Sequence, residues 1–437
     1  MEGVSGVRWS RGVRPGAPGS RTTRLELFYD LVFVFAFIKV TSLTAANPTS
    51  RGLAQGLIVM ALLWWAWAGF AALGNVVRTD QGVLPFVAFT TMAAAFVFIL
   101  AMPQAFRGSL GGLPGPLVFA VCYFIVRAVP VAVFGWLARG DRELRRRFLL
   151  VMGRGLVVGV LVLGAALVPQ RLASEPGEIG LRLLLWLAAL AVDYTAALSL
   201  RGSGWTVMSA GHWAERHAQI VLVALGETII ALGLGTGFAA ELPLSWSVII
   251  AATCGVAVVA GLWWAYFDTF ALALEQALHR TRDPLVRAVL ARDAYTYLHL
   301  PLVAGPVLLA LGLKGLLDGT AEPDVPFGGA RLPGFDLLVL YGGVGVYLLT
   351  LVVLGWRVLR LSRWPTLACV VLLGALSPVA ARLPELAALG LLTVVVLATV
   401  VVQTTVDAGL RRRVREVALA EQLATEAEQT TWRGRHL

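Results

Sequence analysis

The stretch Arg24-Leu-Glu-Leu-Phe-Tyr-Asp-Leu-Val-Phe-Val-Phe-Ala-Phe-Ile-Lys-Val-Thr41 places Glu26, Asp30 and Lys39 in an apolar run that is long enough to cross a membrane. Glu26 and Asp30 are four residues apart, so they share one helix face near one end of the run. Lys39 lies nine residues beyond Asp30, about 180° round the helix. A charge at the centre of a spanning helix costs about 2.5–3.5 kcal/mol on insertion scales. We therefore expect this helix to lie inside a bundle, where partners for these groups are available.

The composition is typical of a membrane protein. The 437 residues are 58% hydrophobic and 14% charged, whereas soluble domains are about 45–50% apolar and 25% charged. The formal net charge is +10, but the arginines cluster in loops beside apolar runs. Membrane orientation explains this pattern better than binding to nucleic acid, which we do not predict.

The sequence predicts no cofactor or metal site. Cys122, Cys254 and Cys369 stand singly in apolar runs, which indicates small core residues. Walker A, Rossmann and Gly-x-Ser-x-Gly motifs are missing, which argues against ATP-driven pumps and hydrolases of those kinds.

The apolar runs predict an all-α polytopic membrane protein with about twelve transmembrane helices. Each run is near the roughly 20 residues that a crossing requires, and the eleventh is the weakest because Pro365 and Pro378 bracket it. The predicted spans are 25–46, 53–73, 83–102, 114–138, 148–168, 181–200, 218–237, 246–268, 293–313, 335–356, 364–381 and 385–406.

The loop charges favour a cytoplasmic location for both termini. With the N-terminus inside, the cytoplasmic segments hold 26 lysines and arginines and the opposite segments hold 7. Lys39, Arg127 and Arg154 lie within predicted spans. A missed span would exchange the sides of all later loops and destroy this bias.

The two halves of the chain have similar features, which favours a parallel six-plus-six repeat. Glu26 opens the first span and Glu215 precedes the seventh, and the stripes at Trp64 and Trp263 follow in the next span of each half. The predicted divisions are a disordered basic cytoplasmic arm at 1–24, a first half at 25–200, a cytoplasmic loop at 201–217, a second half at 218–406, and an amphipathic cytoplasmic tail at 407–437 whose basic start would meet lipid headgroups.

A second charged cluster lies at His212-Trp-Ala-Glu215-Arg216-His217. His212 and Glu215 would share a helix face, but His217 lies about 140° away from it, and no zinc-protease spacing is present. We therefore favour a charge network or gate at the cytoplasmic mouth over a metal site. Glu215 suits a helix N-terminus, and Arg216 could pair with Glu26 or Asp30. Lys39 is the fourth member of the predicted network, after Arg216, Glu215 and His212.

Glu227 lies nine residues inside its predicted span, near the midplane. It could be the structural partner of a buried cation such as Lys39 or Arg127, or it could bind a cation or relay a proton. Both interpretations stay open. Asp193, Asp268 and His299 are weaker candidates, and Pro301 and Pro306 could break the helix after His299 and free carbonyl groups.

Two tryptophan stripes, Trp64-Trp65-Ala-Trp67 and Trp263-Trp264-Ala-Tyr266, could stack a flat or cationic ligand. Interfacial anchoring explains the second stripe, which lies near the end of a span. Packing explains the first, which lies in the middle of one.

Four ordered motifs resemble those of the bacterial low-temperature-requirement protein A family. They are Glu26-Leu-Phe-Tyr-Asp30-Leu-Val-Phe-Val, His212-x-x-Glu215-Arg216, Ala224-Leu-Gly-Glu227-Thr and Tyr297-Leu-His299-Leu-Pro301-Leu. The resemblance covers roughly residues 22–405 and implies an inner-membrane protein without an established activity. Tyr29, His217 and Thr228 depart from the family pattern, and the departure makes His217 a poor carrier of any family-wide activity.

The leading hypothesis is a secondary transporter or exporter of an unknown small molecule or ion, with the lipid bilayer as its surroundings. Substrate or ion would bind at Glu227, with Asp30, Glu26, His299 and Asp193 as further candidates. A membrane-embedded enzyme acting on an apolar substrate is the first alternative, with Asp30, Glu227 and His299 as acid and base. A non-catalytic membrane factor is the second.

Overall fold

The computed structural model describes residues 20–106, 112–140, 142, 145–146, 149, 153–172, 177–198, 207–233, 245–320 and 328–436. These residues are almost entirely helical. Their one β-bridge is isolated and joins Arg331 to Pro384. The all-α class is therefore confirmed for the described part of the chain.

Helices of eight residues or more are labelled here in chain order. They are α1 Arg24–Ala45, α2 Ser50–Val76, α3 Leu84–Leu100, α4 Gly115–Leu137, α5 Arg154–Leu167, α6 Gly177–Leu198, α7 Ala210–Gly233, α8 Trp246–Phe267, α9 Phe270–Arg280, α10 Pro284–Ala291, α11 His299–Thr320, α12 Gly334–Leu354, α13 Trp364–Ala380, α14 Glu385–Val406 and α15 Ala408–His436. Two short π-helical turns, Arg292–Tyr297 and Gly355–Leu359, precede α11 and follow α12.

Eight helical segments are long and apolar enough to cross a membrane; they contain α1, α2, α4, α7, α8, α11, α12 and α14. The apolar helices α3, α5 and α13 are shorter. Helix α6 carries Glu178, Arg182 and Asp193 and falls in neither group. A polytopic membrane protein is supported, whereas twelve crossings and an internal repeat remain predictions.

Two helix positions differ from those predicted. Helix α7 begins at Ala210 rather than at 218, because the Ser209 hydroxyl accepts the backbone N–H of His212 at 3.2 Å and starts the helix there. It therefore takes in residues that were assigned to the loop at 201–217. Helix α11 runs through Pro306 without breaking; the irregular turn lies ahead of it, at 292–297.

The centre of the bundle is formed by α1, α2, α7 and α11. Helix α1 packs against the other three and against α3. Helices α3 to α6 pack in sequence on one side, while α12 packs on α11 and α14 packs on α8. Large apolar side chains such as Phe86, Val371, Val394 and Val401 are exposed on the outer helices, as expected for surfaces that face lipid. This arrangement places the polar side chains of α1 and α7 in the protein interior.

Candidate functional site

Glu26 has partners for both of its carboxylate oxygens. Oε2 accepts the backbone N–H and the hydroxyl of Thr23, at 2.8 and 2.9 Å, in a capping box that starts α1. Oε1 lies 2.9 Å from Nε2 of His212 on α7. The side chain is 1% exposed, so the start of α1 is fixed to α7 by a buried contact.

Asn75, at the end of α2, orients His212. Its amide donates to the Ser209 carbonyl at 2.7 Å and lies 3.4 Å from Nδ1 of His212, while its oxygen accepts the Met208 N–H at 2.9 Å. If Nδ1 accepts this amide hydrogen, Nε2 carries the imidazole hydrogen and donates it to Glu26. Asn75 thus selects the tautomer that suits the carboxylate.

The second contact joins Asp30 to Arg216. The two guanidinium nitrogens Nη1 and Nη2 donate to the two oxygens of Asp30 at 2.6 and 2.9 Å, and Trp67 Nε1 donates to Oδ1 at 2.9 Å. Nη1 also donates to the Glu26 carbonyl at 3.1 Å. Asp30 and Arg216 are both buried, and a planar fork on a carboxylate is the strongest form of such a pair. The predicted pairing of Arg216 is confirmed, with Asp30 as the partner.

The contacts between α1 and α7 share one spacing along the chain. Glu26 to His212, Asp30 to Arg216, and Thr41 to Glu227 are each separated by 186 residues. The two helices are therefore parallel and in register over their lengths. Helices α1 and α7 thus run in the same direction through the bundle.

Glu227 is 1% exposed, and its level is about 16 Å from that of the Asp30–Arg216 pair at 1.5 Å per helical residue. Its Oε1 lies 3.1 Å from the Thr41 hydroxyl, and Oε2 has no hydrogen-bond partner within the described residues. Lys314 of α11 acts on this carboxyl group electrostatically. The ionisable group is therefore buried with only one of its two oxygens in a hydrogen-bonding contact.

Lys39 and Arg127, which were predicted as possible partners of Glu227, contact other residues. Lys39 is partly exposed and lies over the ring of Phe35, with 5.2 Å from Nζ to the centroid. It thus lies outside the network at the mouth, because it points away from the face that carries Asp30. Arg127 of α4 pairs with Asp193 of α6 at 2.6 Å and donates to the Trp65 carbonyl at 2.6 Å. Asp193 is therefore the partner of a buried arginine.

His299 and His217 lie in a buried aromatic cluster. His299 Nε2 is 2.8 Å from the Tyr266 hydroxyl, and Nδ1 is 2.8 Å from the Ala294 carbonyl. The ring of His217 packs at 5–6 Å against five rings, and its Nε2 has no hydrogen-bond partner among the described residues. The five rings belong to Trp64, Trp67, Trp213, Tyr295 and His299.

The first tryptophan stripe is a packing element with specific hydrogen bonds. Trp67 bonds Asp30, as described above, and Trp64 Nε1 donates to the Thr296 carbonyl at 2.8 Å. Trp263 and Trp264, by contrast, are exposed. In the sequence analysis, the mid-span position of the first stripe favoured a packing role. The hydrogen bond that Trp67 donates to Asp30 could be found only in the structure.

An open cleft leads to this network. It has a volume of about 790 Å³, and its lining includes Arg24, Glu26, Arg78 and His212. Glu215 lies nearby and accepts the Thr22 N–H at 2.9 Å. The described residues contain no group of three or more His, Cys, Asp and Glu side chains placed to hold a metal ion.

Comparison with known proteins identifies the family. A sequence profile of the bacterial low temperature requirement A proteins (LtrA) matches residues 21–401. The chain belongs to the LtrA family. It is also similar to an uncharacterized protein of Rhizobium meliloti strain 1021, with 30% identity over 299 residues, which are 66% of this chain and 67% of the relative. No solved structure matches. The matched LtrA region includes the contacts between α1 and α7.

Three residues of the site were not found by the sequence analysis: Thr41, Asn75 and Gly74, which lines the cleft. Asn75 offered a signal, since it is an amide in an otherwise apolar helix end. Thr41 offered less, because a threonine hydroxyl can bond the carbonyl four residues earlier in its own helix, and it does so here with Phe37 at 3.0 Å.

Proposed function

We propose that this LtrA-family protein is a secondary transporter or exporter in which the carboxyl group of Glu227 binds and releases a proton. The main support is the Thr41 hydroxyl, which lies 3.0 Å from the Phe37 carbonyl and 3.1 Å from Glu227 Oε1. A hydroxyl has one hydrogen to donate. With an ionised Glu227 the hydroxyl hydrogen is shared between the two acceptors, which weakens each bond. A protonated Glu227 that donates to Thr41 would instead allow two full hydrogen bonds, so the geometry suits a neutral carboxyl group.

The depth of Glu227 supports the same proposal. An ionised carboxylate away from water needs a cation or several donors, and the described surroundings offer Thr41 and the field of Lys314. Release of the proton therefore favours a state in which water or substrate reaches the group. In this proposal the pairs Glu26–His212 and Asp30–Arg216 close the path on the side of the 790 Å³ cleft.

The arrangement does not favour the enzyme hypothesis. A general acid and base need to reach one reacting atom. Asp30, Glu227 and His299 instead contact Arg216, Thr41 and Tyr266 respectively. Each of the three candidates is thus engaged by a partner of its own, and Glu227 lies about 16 Å from the level of Asp30. A non-catalytic membrane factor needs no carboxyl group that exchanges a proton, so proton exchange at Glu227 separates it from the transporter.

The test is Glu227→Gln, with Glu421→Gln on the exposed tail as the control. Glutamine keeps the shape and can donate to Thr41, so we expect a thermal midpoint close to that of the wild type. Infrared difference spectra between low and high pH should lose one protonated-carboxyl band. A strain that lacks the gene should regain growth in the cold with the control but not with Glu227→Gln.

A well-folded Glu227→Gln protein that restores full growth would contradict the proposal. A variant that unfolds would instead make Glu227 a structural residue. An unchanged infrared difference spectrum would show that Glu227 does not exchange a proton in the accessible pH range, whatever the growth result.

A further inference from the structure

A second cleft lies at the start of α11 and the end of α12, away from the α1–α7 contacts. It has a volume of about 560 Å³ and is formed by α9, α10 and the turn Gly355–Leu359. Its polar lining consists of Arg292, Arg357, Arg360 and Thr281, and the rest is aliphatic. No acidic side chain of the described residues lines it.

The arginines of this cleft are incompletely neutralised. Asp293, beside the cleft, accepts Arg292 Nε at 2.7 Å and Arg357 Nη2 at 2.6 Å. Arg360 forms no ion pair within the described part of the chain, and it occupies the left-handed backbone region at φ 55°. Arg357 therefore shares the Asp293 carboxylate with Arg292, while Arg360 has no ion-pair partner among the described residues, and the cleft has a positive field that suits an anion.

The surroundings place this cleft at the level of a membrane interface. Trp356 and Trp364 are largely exposed on either side of Arg360, and tryptophan is enriched at the headgroup level. Helix α10 begins at its Asp283 cap and exposes Leu285 and Val286. A short amphipathic helix with an exposed apolar face is typical of a segment that lies in the interface plane.

We propose that this cleft is a binding site for the phosphate headgroup of an anionic phospholipid. Arg357 and Arg360 would hold the phosphodiester, as basic pockets between membrane helices do. The acyl chains would lie against Leu285, Val286 and Val358, which line the same cleft. Positive charge and exposed apolar surface in one cleft fit a lipid, whereas free phosphate would use only the arginines.

The test uses the full-length protein purified in detergent. Phosphatidylglycerol and phosphatidylcholine are titrated separately, and binding is measured by native mass spectrometry and by the thermal midpoint. The variants are Arg360→Gln alone and Arg357→Gln with Arg360→Gln. The control is Arg433→Gln with Arg435→Gln, which removes the same charge from the exposed end of α15.

We expect one phosphatidylglycerol to bind and raise the midpoint of the wild type and of the control, with little effect of phosphatidylcholine. An interfacial arginine contributes about 1 kcal/mol to the binding of anionic lipid, so affinity should fall about five-fold in Arg360→Gln and about 30-fold in the double variant. Arg360 makes no ion pair in the described structure, so its single variant should fold even if the double variant does not.

Equal affinity of Arg360→Gln and the control for phosphatidylglycerol would overturn the proposal. Inorganic phosphate is the third ligand to be titrated. If it raises the wild-type midpoint as much as phosphatidylglycerol does, and the Arg360→Gln midpoint less, the site binds free phosphate and the lipid proposal is wrong.

Discussion

Gly74 on α2 lies where no side chain fits. A Cβ atom at this position would lie 1.8 Å from Glu26 Oε1, so the carboxylate would have to leave His212. We expect Gly74→Ala to lower the free energy of unfolding by about 1–3 kcal/mol, the usual cost of overpacking. The measurement is the thermal midpoint of the purified protein.

Gly69 on the same helix is the matched control for Gly74. A Cβ there would meet no atom within 4 Å. Because alanine favours a helix over glycine by about 0.5–1 kcal/mol, Gly69→Ala should be neutral or stabilising. Equal midpoints for the two variants would mean that Glu26 is not held against α2 in this way.

Arg216 is the residue whose loss should be most damaging at the mouth. Removal of one partner of a buried pair typically costs about 3–5 kcal/mol, so Arg216→Glu should sharply reduce the yield of folded protein. Asp30→Arg added to Arg216→Glu should restore part of it, but Trp67 would lose its acceptor.

The exposed pair of Arg78 and Asp80 provides the comparison for this swap. Arg78→Glu should change the free energy of unfolding by no more than about 1 kcal/mol. No recovery in the double variant beyond Arg216→Glu alone would show that the pair does not hold the two helices together.

At the scale of residues, the sequence predicted which ionisable side chains are buried better than it predicted which residues they contact. The spacing of Glu26 and Asp30 on one helix face predicted the pairing with Arg216, because one face of a helix meets one neighbour. Glu227 was placed deep in its span by its distance of nine residues from the start of the apolar run, and it is buried in the structure. Its contact with Thr41 could not be predicted, since a single sequence does not specify which face of α1 meets α7.

At the scale of elements, apolar length predicted the positions of the long apolar helices, while local hydrogen bonds determined their ends. The Ser209 cap extends α7 to Ala210, and hydropathy cannot detect it because His212, Glu215 and Arg216 follow. The sequence analysis did not predict the turn at 292–297, because a π-helical turn cannot be distinguished from an α-helix by its apolar pattern. Helix α11 tolerates Pro306 within its buried interior.

The tail helix α15 is attached to the bundle by Asp268. This carboxylate follows α8 and accepts hydrogen bonds from Arg411 at 2.9 Å and Arg415 at 2.5 Å. Asp268→Asn should remove the charge and loosen the start of the tail. Limited trypsin digestion should then cut after Arg411 to Arg415 faster than in the wild type.

Glu421→Gln is the control for the tail, since its side chain is exposed on α15. It should leave the rate of cleavage unchanged. If Asp268→Asn is cut no faster than this control, contacts such as that of Gln276 with the Val414 carbonyl are sufficient to hold the tail.

At the scale of the whole molecule, the charge bias predicts that both ends of the chain are cytoplasmic. Alkaline phosphatase folds into an active form only outside the cytoplasm, so its fusion after Leu437 should be inactive. Fusion after Gly112, in a loop predicted on the opposite side, should be active. Activity after Leu437 would require an odd number of crossings.

The membrane class of the whole molecule followed from composition, because an apolar fraction of 58% cannot be buried inside a soluble chain of this size. The proposed six-plus-six repeat does not follow from composition, and it depends on the similarity of the two tryptophan stripes. Trp64 is buried and Trp263 is exposed, so the stripes that suggested a repeat have different surroundings. Similar sequences in two halves do not by themselves fix similar packing.

The common register of α1 and α7 limits how the molecule can move. A piston-like slide of one helix past the other would break Glu26–His212, Asp30–Arg216 and Thr41–Glu227 together. The two helices therefore behave as a single strut. A shift by one turn would place Glu26 opposite Arg216, or Asp30 opposite His212, but it would break the remaining contacts and separate Glu227 from Thr41. If the protein opens alternately to the two sides of the membrane, the movement must occur where this strut meets its neighbours α2, α3, α8, α9 and α11.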